Sequence, residues 1–151
     1  MKKILFLLTF ILVSVFAKSQ TTEDSVKATV NNLFIGMQNA DTLLLKSTFA
    51  DGAIFQTIAR YKEGNTIVRT ETVQGFIDYV GKQTKGETDE RIAFGSIKID
   101  GALASVWTPY DFYVGGKFIH CGANSFQLVK IKGAWKIQYL IDTRRKQGCN
   151  Q

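Results

Sequence analysis

Apolar and polar residues alternate almost without interruption from Arg91 to Asp142, the pattern of a sheet in which each strand buries one face. The alternation breaks at Asp100-Gly101, Gly115-Gly116 and Lys132-Gly133. Gly-bearing pairs between alternating runs predict tight hairpin turns, so this half reads as a meander of four antiparallel strands. The N-terminal half has a different period. Val26, Val30, Leu33, Phe34 and Met37 recur at helical spacing and predict a helix over Thr22–Gln38, capped by Thr21 or Thr22 with Glu23 and Asp24 in its first turn. Asp41 caps a short second helix, Thr42–Ser47. Phe49–Gly52 reads as a turn, Ala53–Ile58 and Thr66–Thr70 as strands, and Glu71–Lys82, with Val73, Phe76, Ile77 and Val80 on one side, as a third helix capped by Thr70 or Thr72. A polar loop over Gln83–Glu87 leads into the meander. Helix, helix, strand, strand, helix and four strands make an α+β fold, with a curved, mostly antiparallel sheet and three N-terminal-half helices on one face.

The first residues read as a leader. Lys2 and Lys3 precede an apolar run, Ile4 to Phe16, broken only by Thr9 and Ser14, and the small residues Ala17 and Ser19 follow. That run is shorter than the about 20 residues needed to span a bilayer. Residues 1–19 are therefore expected to be a cleavable signal peptide, cut after Ser19 or alternatively after Ala17, and 20–151 one domain, periplasmic or secreted, with no membrane attachment after cleavage. Of the 19 Lys and Arg residues, Lys2, Lys3 and Lys18 belong to this leader. Against 13 Asp and Glu residues, the formal charge falls from +6 to +3 when the leader goes. The remaining basic residues are scattered except at Arg144-Arg145-Lys146, so no nucleic-acid stripe is expected. An oxidising compartment permits one disulfide, Cys121–Cys149, provided that the tail after the last strand doubles back. No metal-ligand spacing, nucleotide-binding glycine loop or G-x-S-x-G turn is present, so no metal or cofactor is expected.

A two-residue turn at Gly115-Gly116 sets Tyr113 opposite Phe118, Asp111 opposite His120, Trp107 opposite Asn124 and Ser105 opposite Phe126. The other hairpins add Phe94, Trp135, Ile137, Tyr139, Ile141 and Thr143 to the same face. A bulge would shift part of this set, and Pro109 with Gly122 marks the expected place. In this register Asp111 orients the His120 imidazole and raises its basicity, giving a candidate general base, with Arg145 supplying a positive charge for an anion. Trp107 is a stacking surface for a flat heterocycle and Asn124 a reader of its edge. The expected ligand-binding set is Phe94, Trp107, Tyr113, His120, Asn124, Phe126, Tyr139 and Arg145; Trp135 reads as core. The other face, with Ile97, Ile99, Val106, Thr108, Tyr110, Phe112, Ile119, Cys121, Val129 and Leu140, is also apolar, which predicts a homodimer through it.

The segments "FxHCGxNxFQLVK", "WKI" and "DTRRxxGC", within Val106 to Cys149, carry a resemblance to the nuclear-transport-factor-2-like (SnoaL-like) superfamily. More narrowly, the chain resembles small exported bacterial proteins called lumazine-binding. The resemblance runs over nearly the whole mature chain. It implies a conical pocket between the concave sheet face and the helices, often in a dimer, and a pteridine-like ligand. Relatives in the superfamily include isomerases, dehydratases, hydrolases and non-catalytic binders. The expected function is therefore binding of a small apolar or aromatic molecule, with a proton-transfer enzyme using Asp111-His120, or a non-catalytic interaction module, as alternatives.

Overall fold

The computed structural model describes residues 21–60 and 65–149; the expected leader lies outside them. Thr21 opens the first helix, α1 (Thr22–Asn39), through a reciprocal capping box. Its side chain accepts from the Asp24 N–H, and the Asp24 carboxylate accepts from its own N–H. Val26, Val30, Leu33 and Gly36 form the buried stripe. Ala40 ends the helix in the left-handed region, and Asp41 Oδ1 accepts from the Leu44 N–H at 2.9 Å to start α2 (Thr42–Thr48). A Cβ on Gly36 would come within 2.9 Å of Leu45 Cγ, so the missing side chain lets the two helices close up. The third helix, α3 (Val73–Val80), is capped by Thr72 and is shorter than its apolar spacing suggests.

Among the described residues seven strands form where six were expected: β1 (Phe49–Arg60), β2 (Thr66–Glu71), β3 (Thr88–Ile92), β4 (Ser96–Asp100), β5 (Leu103–Val114), β6 (Lys117–Ile131) and β7 (Ala134–Arg145). The sheet order is β2-β1-β7-β6-β5-β3, with β4 beside β5 on the same edge as β3. Only the β1–β7 pair is parallel. Two readings change here. The Phe49–Gly52 turn is part of β1, where the ladder to β7 jumps from Phe49 to Ile54 and Gly52 takes φ 71°. The first meander strand, expected from Arg91, begins at Thr88 and breaks at Ala93–Gly95 into two strands that both pair with β5.

The registers decide which side chains share the concave face. The Gly115-Gly116 hairpin pairs Tyr113 with Phe118 as expected, but the next pair is Phe112 with His120, leaving Ile119 as an extra residue in β6. From there to Leu103 every partner is displaced by one, so Asp111 faces Cys121, Tyr110 faces Gly122, Thr108 faces Asn124 and Val106 faces Phe126. The bulge lies at Ile119 and not at Pro109 or Gly122. Gly122 instead holds the register: a Cβ there would lie 1.8 Å from the Thr143 carbonyl oxygen and 2.7 Å from the Tyr110 ring, which occupies the space. A second irregularity, between Gln127 and Leu128, leaves Gln138 extra in β7 and brings Leu140, Asp142 and Arg144 to the concave side while Tyr139, Ile141 and Thr143 turn out. Beneath the helices Val26, Val30, Leu33, Leu45, Phe126, Leu128 and Ile137 are fully buried, Phe34 meets Phe126 edge-on at 6.2 Å, and Trp135 joins this core as expected.

Candidate functional site

Where the core ends, α1, α3 and the concave face diverge around a cavity of about 270 Å³. Its apolar walls come from Leu33, Phe34 and Met37 of α1, Phe76 and Tyr79 of α3, and Phe55, Phe112 and Leu140 of the sheet. Its polar side is built by alternate residues of adjacent strands: Glu71, Glu90, Tyr110, His120, Asn124, Asp142 and Arg144. These groups form two linked clusters.

In the first, Asn124 Nδ2 donates to Glu90 Oε1 at 2.9 Å. Glu90 keeps some accessible surface yet lies deep among protein atoms. Desolvation therefore pushes its carboxyl up from 4.5 to about 7, with the Asp142 charge adding to the rise and the Asn124 hydrogen bond opposing it. In the second, Asp142 Oδ2 accepts from Arg144 Nε at 3.0 Å and lies 3.2 Å from the Tyr110 hydroxyl. That hydroxyl is also 2.9 Å from the Thr143 carbonyl, so its single proton serves two acceptors. Burial and the neighbouring carboxylates hold the phenol neutral by raising its pKa. Arg144 Nη2 reaches Thr57 Oγ1 at 3.3 Å; burial works against its charge, and Asp142 more than restores it. Asp142 Oδ1 is buried and has no hydrogen-bond partner among the described residues.

His120 lies against Tyr110 (5.7 Å, edge-on) and Phe112 (5.0 Å). Its pKa is lowered, first by desolvation and then by Arg144, so the ring is neutral at pH 7. This reverses the expected rise, because Asp111 is not its neighbour. Asp111 sits on the other side of the sheet, opposite Cys121 and Arg91, and the proposed carboxylate–imidazole pair does not form.

Of the expected ligand-binding set, the structure brings His120 and Asn124 into the cavity. Trp107 is on the outer face, 44% exposed and opposite Ser125, so it cannot stack on anything Asn124 holds. Phe126 is core, and Phe94 packs against that core with Lys27 5.8 Å from its ring. Tyr113 stays at the hairpin end with Phe118, under the Arg91 guanidinium at 4.2 Å. Tyr139 donates outward to Gln56 at 2.7 Å. Arg145 faces Cys121 instead of His120 and donates to the Gly148 carbonyl at 3.2 Å; Arg144 takes the cavity position. The tail does double back: Gly148 takes φ 64°, and Cys121 and Cys149 are joined, with Cα atoms 5.8 Å apart. The outer-face set is corrected likewise, because Tyr110, Phe112 and Leu140 line the cavity and Val106 is core. Tyr110 and Phe112 are the residues that a one-position slip exchanges for Asp111 and Tyr113. Asp142 and Arg144, two positions apart in one strand, share a face by strand periodicity alone, but Glu90 carried no sequence signal.

No protein-family model matches the sequence, and no curated protein matches it. Solved structures do resemble it. A nuclear-transport-factor-2-like protein of unknown function from Shewanella baltica superposes with a TM-score of 0.66 at 18% identity, over 83% of this chain and 94% of that one. Another from Silicibacter pomeroyi gives 0.64 at 20% identity, over 83% and 99%. A domain of unknown function with a cystatin-like fold from Nostoc punctiforme gives 0.64 at 15% identity, over 85% and 81%. Three helices on one face of a curved seven-stranded α+β sheet, superposing on these structures over most of their length, give this chain the nuclear-transport-factor-2-like fold.

Proposed function

We propose that this protein is an exported small-molecule binder that holds its ligand between α1, α3 and the concave sheet face. One observation carries the reading: a cavity with aromatic walls on one side and converging polar groups on the other, among them a buried carboxylate oxygen, Asp142 Oδ1, without a partner. Buried acceptors are ordinarily satisfied, by protein groups or by water, and the unpaired Oδ1 marks this wall as the polar end of the cavity. At about 270 Å³ the space is at the lower end of the about 300–1,000 Å³ typical of ligand sites, which favours a compact molecule of one or two rings. Pteridines belong to that size class, with Asn124 and Glu90 as readers of a heterocycle edge. A thermal-shift screen of pteridines, flavin precursors and single-ring compounds tests the reading. Stabilisation that Asn124→Ala abolishes and Trp107→Ala leaves intact supports it; no stabilisation by any compound refutes it.

A second reading, proton transfer, is favoured by Glu90. A carboxyl near 7 beside a cavity is poised to take and return a proton at neutral pH. Glu90→Gln then abolishes turnover of a bound substrate while keeping its binding; unchanged turnover refutes the reading. The proposed homodimer is supported by the exposure of Ile54, Val68, Leu103 and Trp107. Sedimentation at micromolar concentration tests it, a monomer being the contrary result.

A further inference from the structure

We infer that this cavity is selective for a compact organic cation, a protonated amine or amidinium carried on one aromatic ring, with the positive group set against Asp142 and Glu90. The inference deepens the ligand-binding reading and rests on it.

Three carboxyl groups line the cavity, from Glu71, Glu90 and Asp142, with Glu90 only partly ionised at pH 7, against one guanidinium, Arg144. Arg144 commits Nε to Asp142 Oδ2 and Nη2 to Thr57, so it is largely spent within the wall. His120 is neutral at pH 7, its protonation opposed by desolvation and by Arg144. The chain as a whole is basic, at +6, so an acidic cavity is a local arrangement and does not follow from composition. A bound anion would meet an excess of like charge in a partly desolvated space, where charges are weakly screened.

Among the described residues Asp142 Oδ1 has no donor, and Glu90 Oε1 accepts from the Asn124 amide. A primary ammonium brings three donors and no acceptor, and an amidinium a planar fork of them, which matches a carboxylate.

Phe34, Phe55, Phe76, Tyr79, Tyr110 and Phe112 surround the space, and aromatic faces attract a cation within about 6 Å while packing against an apolar ring. An ammonium on an aryl group uses both halves of the cavity.

The groups around Glu90 also set a pH dependence. Asn124 of β6, Asp142 and Arg144 of β7 and Tyr110 of β5 interact with it, while Glu71 of β2, Tyr79 of α3 and His120 of β6 line the same cavity, with Leu33, Phe34 and Met37 from α1. Burial holds Glu90 near 7, so an arriving cation favours its ionised form and releases a proton.

Calorimetry of the purified protein with three matched probes, 2-phenylethylamine, 2-phenylethanol and 3-phenylpropanoate, tests the inference. The amine is expected to bind about tenfold tighter than either of the others, the margin that one favourable charge contact of about 1.4 kcal/mol gives. Its affinity is expected to rise several-fold between about pH 6 and pH 8, with proton release seen as a buffer-dependent heat. Asp142→Asn, which frees Arg144, is expected to reverse the preference towards 3-phenylpropanoate. Glu90→Gln, which keeps the acceptor for Asn124, is expected to flatten the pH dependence without loss of fold. Equal or tighter binding of the alcohol or the carboxylate overturns the cation class and leaves the binding reading standing. If none of the three binds while other compounds stabilise the protein, the class again falls alone. If nothing binds in either experiment, both readings fall.

Discussion

Glu90→Gln should make the protein more stable at neutral pH, and the size of the gain follows from where the carboxyl sits. Its pKa is raised from 4.5 to about 7, chiefly by desolvation. The folded state therefore keeps a proton that the unfolded chain gives up between those values. Stability rises with pH only where the unfolded state binds more protons; here it binds fewer, so this group makes stability fall as pH climbs from about 4.5 to about 7 and stay lowered above. At about 1.4 kcal/mol for each tenfold change in proton affinity, the loss is about 3 kcal/mol. Glutamine is nearly isosteric, keeps an acceptor for Asn124 Nδ2 and does not ionise. Urea unfolding followed by the fluorescence of buried Trp135 is the assay, run on both proteins from about pH 4 to pH 8. The variant should match the parent near pH 4 and exceed it by about 3 kcal/mol at pH 8, or about 10 °C in Tm for a chain of this size. Titrating groups that do not interact with Glu90 contribute equally to both curves and cancel in the difference, which leaves Glu90 and its coupling to Asp142, Arg144 and Tyr110. Parallel curves, or a variant less stable at pH 8, would refute the claim that Glu90 is held neutral by its surroundings.

Three further outcomes follow from the fold. Cys149→Ser removes a link across 28 residues and should cost about 3.5 kcal/mol by loop-closure entropy, measured against the parent with and without reductant; indifference to reductant would show that the bond does not form in solution. Gly122→Ala places a methyl group 1.8 Å from the Thr143 carbonyl and against Tyr110, and should cost about 3 kcal/mol or more in thermal unfolding, whereas a near-neutral change would contradict the β6–β7 register. Asp41→Ala removes the α2 cap and should cost about 1 kcal/mol in urea, with Asp41→Asn restoring most of it.

The helices were legible because their signals are local. Thr21 with Asp24, Asp41 and Thr72 cap where short-range chemistry says they should, and the Val26, Val30, Leu33 stripe meets the sheet. Strand identity was legible for the same reason, since alternation and glycine turns are written within a few residues. The site was not, because it depends on which residue of one strand meets which residue of the next. Ile119 carries no glycine or proline to announce a bulge, yet its insertion moves Asp111 and Trp107 outward and brings Tyr110 and Phe112 in. Gln138 does the same for β7, exchanging Tyr139 and Arg145 for Leu140 and Arg144. His120 and Asn124 kept their place because both lie on β6 past the extra residue, with even spacing between them. Glu90 was hidden for another reason. Thr88-Asp89-Glu90 has no apolar alternation, and only pairing with the end of β5 makes it a strand.

The central claim is that small molecules enter the concave face, at Asn124 and Glu90, and not the outer face that carries Trp107. Nuclear magnetic resonance can follow the Asn124 side-chain amide and the Trp107 indole N–H in one titration with the tightest-binding compound of the thermal-shift screen. The account predicts that the Asn124 amide shifts with saturation while the Trp107 indole stays where it was. A moving Trp107 indole beside an unmoved Asn124 amide would contradict it.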